Sequence, residues 1–271
     1  MISFSSNYYE SSSIFHGSIP RIMGTRFDLL ISELSKEKAL FVWNKIVIEL
    51  ERLHKMINRF DAKSELSRIN INAQMASAST SNELWDILKD CKHFHIATEG
   101  LFDITLKNMS EVVFNEESKS IAFPTKDFYF DLGGYGKGYA LEKIKEMLLD
   151  ARVEHALINF GDSSISAIGN HPYGDCWSIS IENPFQKGEI LQEVELRDQD
   201  FSSSGNLPTH TQHIINPYTK EFNSQNKLVC VCANNPIEAE VLSTALMLAS
   251  LEQQNRIKSN FKIDKVFVFN L

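Results

Sequence analysis

The residues best placed to do chemistry are the run Asp131-Leu132-Gly133-Gly134-Tyr135-Gly136-Lys137-Gly138, four glycines and a lysine behind an aspartate. The run follows a strand-like Phe128-Tyr129-Phe130 and opens into a helix-like stretch from Leu141 to Leu149, so it sits where strand gives way to helix. Glycines remove the Cβ atoms that hold backbone amides away from an anion, a helix start adds partial positive charge, and Lys137 adds a full one. That combination suits a phosphate. The spacing is neither Gly-x-Gly-x-x-Gly nor the P-loop pattern, and a tight glycine turn before an ordinary helix also accounts for it; Asp131 and Lys137 shift the balance toward a site.

A second set lies in the helix-like run from Pro236 to about Leu251. There Glu240 and Thr244 are four apart, which places a carboxylate and a hydroxyl on one face beside Ala239, Ser243 and Ala245. Oxygen ligands of this kind suit magnesium or calcium rather than zinc, although a solvated Glu and a Thr bonded back to its own helix would read the same way. Asp103, Asp162 and His213 join Asp131 as polar residues at the ends of strand-like runs beside small residues. His213, in Gln212-His213-Ile214-Ile215-Asn216-Pro217, would by itself be an ordinary strand histidine. His93 and His95 share a helix but not an i, i+4 spacing, and read as surface or packing residues.

The elements that must position these groups are legible from periodicity. Residues 1–22 are polar and Ser/Tyr-rich and read as an arm or an irregular first strand; residues 23–271 read as one domain. Met23-Gly24-Thr25 turns into a strand at Arg26 to Ile31. From Ser35 the apolar positions Ala39, Val42, Trp43, Ile46, Leu50, Leu53 and Ile57 repeat at three and four, which predicts a helix to residue 58. Ser64 caps a short helix ending near Asn70, and a helix over 82–98 turns Leu84, Ile87, Cys91, Phe94 and Ala97 inward before Gly100 stops it. Helices are also predicted over 138–150 and 236–251. Alternation predicts strands at Phe102 to Leu106, Val112 to Phe114, Ser120 to Phe123, His155 to Phe160, Trp177 to Ile181, Glu189 to Leu196, His213 to Ile215, Lys227 to Cys232 and Val266 to Phe269. Interleaved helices and short strands, without repeats or linkers, point to an α+β protein whose mixed sheets and packed helices surround a cleft lined by residues 131–138.

Composition excludes several classes. The chain has 271 residues, 43% hydrophobic and 23% charged, which is ordinary for a globular protein with a large core. A formal charge of -8 and a pI near 5.5 argue against nucleic-acid binding, so any phosphate recognition must be local. No apolar run is long enough for a transmembrane segment, and the first twenty residues lack the order of a secretory signal, so the sequence as it stands reads as cytoplasmic, or as exported or anchored if a leader has been removed. Cys91, Cys176, Cys230 and Cys232 show neither a zinc-ligand spacing nor a disulfide framework, and read as reduced and buried.

Taken together and in order, these stretches resemble the FAD:protein FMN transferase (ApbE) family from Met23 onward. The resemblance rests on Met23-Gly24-Thr25, Ser64 to Asn70, Phe102-Asp103-Ile104-Thr105, Asp131-Leu132-Gly133-Gly134 with Lys137-Gly138, Ser203-Ser204-Gly205, His213-Ile214-Ile215 with Pro217, and Ala239-Glu240 with Ser243-Thr244-Ala245. It implies a Mg2+-dependent enzyme that takes FAD as substrate, transfers FMN to a Thr or Ser hydroxyl of an acceptor protein, and releases AMP. By carry-over, Glu240, Thr244 and the Gly136 carbonyl would hold Mg2+; His213 would take the proton of the attacking hydroxyl and Lys137 would neutralise charge on the phosphates. Met23, Asn70, Asp103, Asp131, Gly133, Gly134, Ser204 and Gly205 would line the FAD site. The chain departs from the family pattern at Asp162 and Lys220, where glycine is usual, and at Asn216 and Glu240, where aspartate is usual. The alternatives are a diverged paralogue that binds FAD without transferring it, and a Mg2+-dependent FAD pyrophosphatase in which water replaces the acceptor hydroxyl.

Overall fold

The computed structural model describes residues 2–206, 208 and 214–271. In chain order the elements are β1 (Ser5–Tyr9), β2 (Ile14–Ile22), β3 (Thr25–Ser32), α1 (Lys36–Ile57), α2 (Glu65–Asn72), β4 (Ala78–Ser79), α3 (Asn82–Ala97), β5 (Val113–Asn115), β6 (Ser120–Ala122), α4 (Gly136–Asp150), β7 (His155–Phe160), β8 (Ser164–Ile168), β9 (Trp177–Glu182), β10 (Ile190–Leu196), β11 (Asp200–Gly205), β12 (Lys227–Ala233), α5 (Pro236–Leu248), α6 (Leu251–Lys258) and β13 (Ile263–Asn270). Eight strands form one sheet in the order β1-β2-β3-β7-β8-β11-β12-β13, beside a β9–β10 hairpin and a small β4-β6-β5 sheet. Among the described residues every strand pairing is antiparallel, so helices and strands are mixed in this α+β fold but strand direction is not.

Residues 5–22, whose polar composition suggests an arm, are the first two strands of this sheet. Only one face of β2 is buried, through Phe15, Gly17 and Ile19, and the solvated face accounts for the polar reading. At Gly17 an added Cβ would come within 2.6 Å of the Trp43 ring, so glycine lets the indole of α1 lie on β2. Trp43 in turn stacks on Phe27 of β3, with ring centroids 6.2 Å apart. The buried face of α1 contains each of the apolar positions read from the sequence.

Helices α1, α4 and α5 bury one face of the sheet, while Trp177, Ile181, Val194 and Leu196 of the β9–β10 hairpin pack on Ile165, Phe201, Leu228, Cys230 and Cys232 on the other. Strands β8, β11 and β12 are therefore covered on both sides. Cys230 and Cys232 point the same way and are unpaired, and burial pushes their thiols up, to about 12 and about 11. Cys91 is also buried, but Cys176 is only half-buried.

Several elements differ from the sequence reading. Phe102 to Leu106 is a turn, because Asp103 organises it: its carboxylate accepts from Thr105 N at 2.7 Å, Thr105 Oγ1 at 2.6 Å and Met109 N at 3.0 Å. Phe128 to Phe130 joins no strand. The helix expected to reach Leu251 stops at Leu248, and Ser250 caps α6 in its place with a capping box to Gln253. Around His213 to Ile215, the described pairing is a single bridge from Ile215 to Phe222. No helix among the described residues is long and apolar enough to cross a membrane.

Candidate active site

The approach to the glycine run is held by side chains where a strand partner would otherwise be. Asn70 of α2 donates from Nδ2 to Phe130 O at 2.9 Å and accepts from Phe130 N at 2.7 Å, while Gln74 donates to Phe128 O at 3.0 Å. An amide presents a donor and an acceptor in the geometry of a peptide, so Asn70 satisfies this backbone as a neighbouring strand would. Asp131 follows. Its amide donates to Ile104 O at 2.7 Å, one carboxylate oxygen accepts from Gly133 N at 2.9 Å, and the other lies 2.8 Å from Arg59 Nε. The sequence reading missed Arg59, whose guanidinium also lies over the Phe60 and Tyr129 rings.

The run then enters α4, whose N-cap residue, Tyr135, makes no side-chain cap. The cap comes from another helix. Glu240 of α5 is 2% exposed; one of its carboxylate oxygens accepts from Gly138 N and the other pairs with Lys137 Nζ at 2.6 Å. Lys137 Nζ also donates to Ser164 Oγ of β8 at 3.0 Å. This close approach of α5 to α4 needs a glycine: a Cβ on Gly138 would sit 2.7 Å from Pro236 O and 2.9 Å from Ile237 Cα.

One turn along α5, Thr244 Oγ1 lies 3.2 Å from Ser204 Oγ, which is 2.8 Å from Ser243 Oγ. Ser243 Oγ donates to Glu240 O at 3.0 Å and lies 3.2 Å from Ser202 Oγ. The loop backbone passes over Thr244, since a Cβ on Gly134 would lie 3.6 Å from its hydroxyl. Behind this group Lys145 of α4 pairs at 2.9 Å with fully buried Asp200, whose carboxyl is held above its usual range by burial. Ser164 and Ser166 of β8 and Asp200, Ser202 and Ser204 of β11 thus form a polar layer facing α4 and α5, while Ile165, Ala167 and Phe201 face the hairpin. Part of the signal was in the sequence: Ser164 and Ser166 flank Ile165 in β8, and Asp200 and Ser202 flank Phe201 in β11.

The structure brings together Gly133, Gly134, Gly136, Lys137, Ser204, Glu240 and Thr244 of the expected site residues. Gly205 lies at the end of β11, where a Cβ would meet Lys227 O at 2.9 Å, so close strand packing accounts for that glycine. Asn70 and Asp131 sit next to the group but spend their polar atoms on backbone and on Arg59. Asp103 is fully buried in its turn, with His95 Nδ1 at 3.5 Å. Met23 forms the β2–β3 turn with Gly24, at φ 47° and 86°, half-buried against the main core. His213 lies outside the described residues. Of the 131–138 run, Tyr135 lines a cavity of about 440 Å3 with Asp90, Tyr139, Glu142 and Glu238.

The departures from the family pattern have local explanations. Asp162 and Lys220 both have left-handed backbone, at φ 59° and 63°, which is why glycine suits those positions. Here Asp162 is held by reciprocal bonds with Asn159, at 2.7 and 2.8 Å, and Lys220 Nζ donates to Lys107 O at 2.5 Å. Asn216 Oδ1 accepts from Tyr218 N at 2.9 Å, a turn that aspartate would make equally well.

The donor set suits a hard cation. Among the described residues no cluster of three or more His, Cys, Asp or Glu could hold a metal. Magnesium does not require one, because it takes one or two carboxylates and completes its shell with water and substrate phosphates. Glu240 offers the carboxylate, Thr244 the hydroxyl, and the Lys137 ammonium already stands as a cation against Glu240.

This fold is shared with solved ApbE proteins. The flavin transferase ApbE of Vibrio cholerae superposes with a TM-score of 0.81 at 18% identity, covering 95% of this chain and 93% of that one. The ApbE protein of Thermotoga maritima superposes at 0.77 and 18% identity, covering 95% and 90%. The ApbE family model matches residues 23–120 and 107–267, and the chain belongs to the ApbE family. Its relatives include the FAD:protein FMN transferases of Salmonella typhimurium, 20% identical over 88% of this chain and 79% of that protein, and of Haemophilus influenzae, 24% identical over 74% and 71%.

Proposed function

We propose that this protein is a Mg2+-dependent FAD:protein FMN transferase, which moves FMN from FAD to a Thr or Ser hydroxyl of an acceptor protein and releases AMP. The observation that supports this reading most is the convergence of Lys137 of α4, Glu240 and Thr244 of α5 and Ser204 of β11, three segments, at the start of α4. In the reaction the acceptor oxygen attacks the phosphorus of the FMN half, the bond from that phosphorus to the bridging oxygen breaks, and AMP leaves with the electron pair. Lys137 would neutralise charge on the pyrophosphate oxygens and on the departing AMP, and the helix start at Gly136 and Lys137 would add its dipole. Glu240 and Thr244, with the Gly136 carbonyl, would hold Mg2+, which neutralises charge on the phosphate oxygens. Ser204, itself held by Ser243, fixes the Thr244 hydroxyl, and Asn70 and Arg59 fix the segment that carries Asp131, so these residues position the binding groups. His213 is assigned as the base that takes the acceptor proton.

The His213 assignment separates chemistry from binding. His213→Ala should lose transfer by about 100- to 10,000-fold while binding FAD like the parent, because the pyrophosphate contacts come from other segments. Near-parental transfer with an unchanged pH profile would remove His213 from the mechanism.

A further inference from the structure

Resting on the reading of Glu240 and Thr244 as the Mg2+ site, we propose that Lys137 is an internal competitor for that metal, released by the substrate's pyrophosphate. Glu240 is the one carboxylate that the described residues bring beside Thr244, and both of its oxygens are engaged: one by the Lys137 ammonium at 2.6 Å, the other by Gly138 N. A divalent cation arriving alone must displace a tethered ammonium from a nearly fully buried carboxylate, and finds one carboxylate and hydroxyls as ligands. That is too little for a cation that dehydrates reluctantly. A pyrophosphate changes both sides of the exchange. It gives Lys137 a second anion, within reach of an ammonium that is 21% exposed and already shared with Ser164, and it brings the oxygens that complete the metal's shell. Glutamate at position 240 has the reach to meet both Lys137 Nζ and Gly138 N. Metal and substrate therefore bind with positive coupling, and the site remains closed to divalent cations until substrate arrives.

The test is Mn2+ binding to the intact chain at pH 8, followed by the electron paramagnetic resonance signal of free Mn2+. ADP serves as a pyrophosphate that cannot donate FMN, and flavin fluorescence measures FAD binding separately. The parent should bind Mn2+ weakly alone and, once the Mn2+ held by ADP in a protein-free control is subtracted, about 10-fold or more tightly with saturating ADP, within the usual range of coupling between two sites. Lys137→Met should tighten Mn2+ binding without nucleotide by about 5-fold or more, and shrink the gain from ADP. Equal or weaker Mn2+ binding by Lys137→Met overturns the proposal. If that variant does not fold, Lys137→Gln takes its place: Mn2+ binding without ADP that is tighter than the parent's upholds the proposal, and equal or weaker binding, or parent affinity that is the same with and without ADP, overturns it. A lysine effect without FAD binding keeps the exchange and sinks the transferase reading, whereas FAD binding without a lysine effect does the reverse.

Discussion

The glycines of the 131–138 run differ in what they do, and alanine substitution should separate them. At Gly138 a Cβ would meet Pro236 O at 2.7 Å and Ile237 Cα at 2.9 Å, both backbone atoms that cannot rotate away, so α4 and α5 must part by several tenths of an ångström. Overpacking of this kind costs about 1–3 kcal/mol, and rigid neighbours place it near the top of that range. Alanine returns about 1 kcal/mol through its better helix propensity, leaving about 2 kcal/mol of destabilisation. For a domain of this size that is a fall in Tm of about 4–8 °C, read by circular dichroism. Because Glu240 reaches Gly138 N across the same contact, parting the helices should also lower transfer. At Gly136 the Cβ would meet only Ile57 Cδ1, at 2.8 Å, the end of a flexible side chain, and at Gly134 it would make ordinary contacts of 3.6 Å or more. Those two variants should keep Tm within about 3 °C of the parent, in line with a stability change below about 1 kcal/mol. If Gly138→Ala melts and reacts like the parent, the helix-contact account of that glycine is wrong.

Three further perturbations test the supporting structure. Asn70→Ala leaves Phe130 N and O without partners and should cost about 1–3 kcal/mol, with hydrogen exchange of the Phe130 amide accelerated; unchanged protection would refute the clamp. Lys145→Met leaves the Asp200 carboxylate buried and unpaired and should cost about 3–5 kcal/mol in urea denaturation, while adding Asp200→Asn should recover a large part of it; a single variant within 1 kcal/mol of the parent would contradict this. Burial raises the Glu142 carboxyl, so the folded state keeps a proton that the unfolded chain has lost, and the stability associated with this group is complete below the unfolded pKa and lost as pH rises through the folded one. Glu142→Gln can still accept from Asn235, so it should gain stability over the parent at pH 8 but not at pH 4; an equal effect at both pH values would overturn the assignment.

Much of the scaffold was legible because its signals are local. The three- and four-residue apolar repeat gave α1 and α3 nearly to the residue, since their buried faces are continuous. What was missed depends on contacts distant in sequence. Phe128 to Phe130 looks like a strand, but its partner is the side chain of a residue 60 positions away. Phe102 to Leu106 alternates like a strand, yet Asp103 turns inward and folds the chain around its carboxylate. Strands β8 and β11 were not read because their inward residues are serines and an aspartate, several of which are paired with Lys137, Lys145 and Ser243 of the helices. At the site itself, the sequence placed Glu240 and Thr244 on one helix face and Lys137 at a helix start. It could not reveal that Glu240 caps the helix of Lys137, because that meeting spans 102 residues.

The most direct test of the account is to incubate the protein with FAD, Mg2+ and a peptide bearing a Thr or Ser acceptor, and to follow both products by mass. Transferase activity predicts peptide that has gained FMN and AMP released in equal amount, with neither formed in excess chelator. AMP with free FMN and unmodified peptide would mean that water is the acceptor, and FAD recovered intact from the protein would mean that the site binds without reacting; either result contradicts the account.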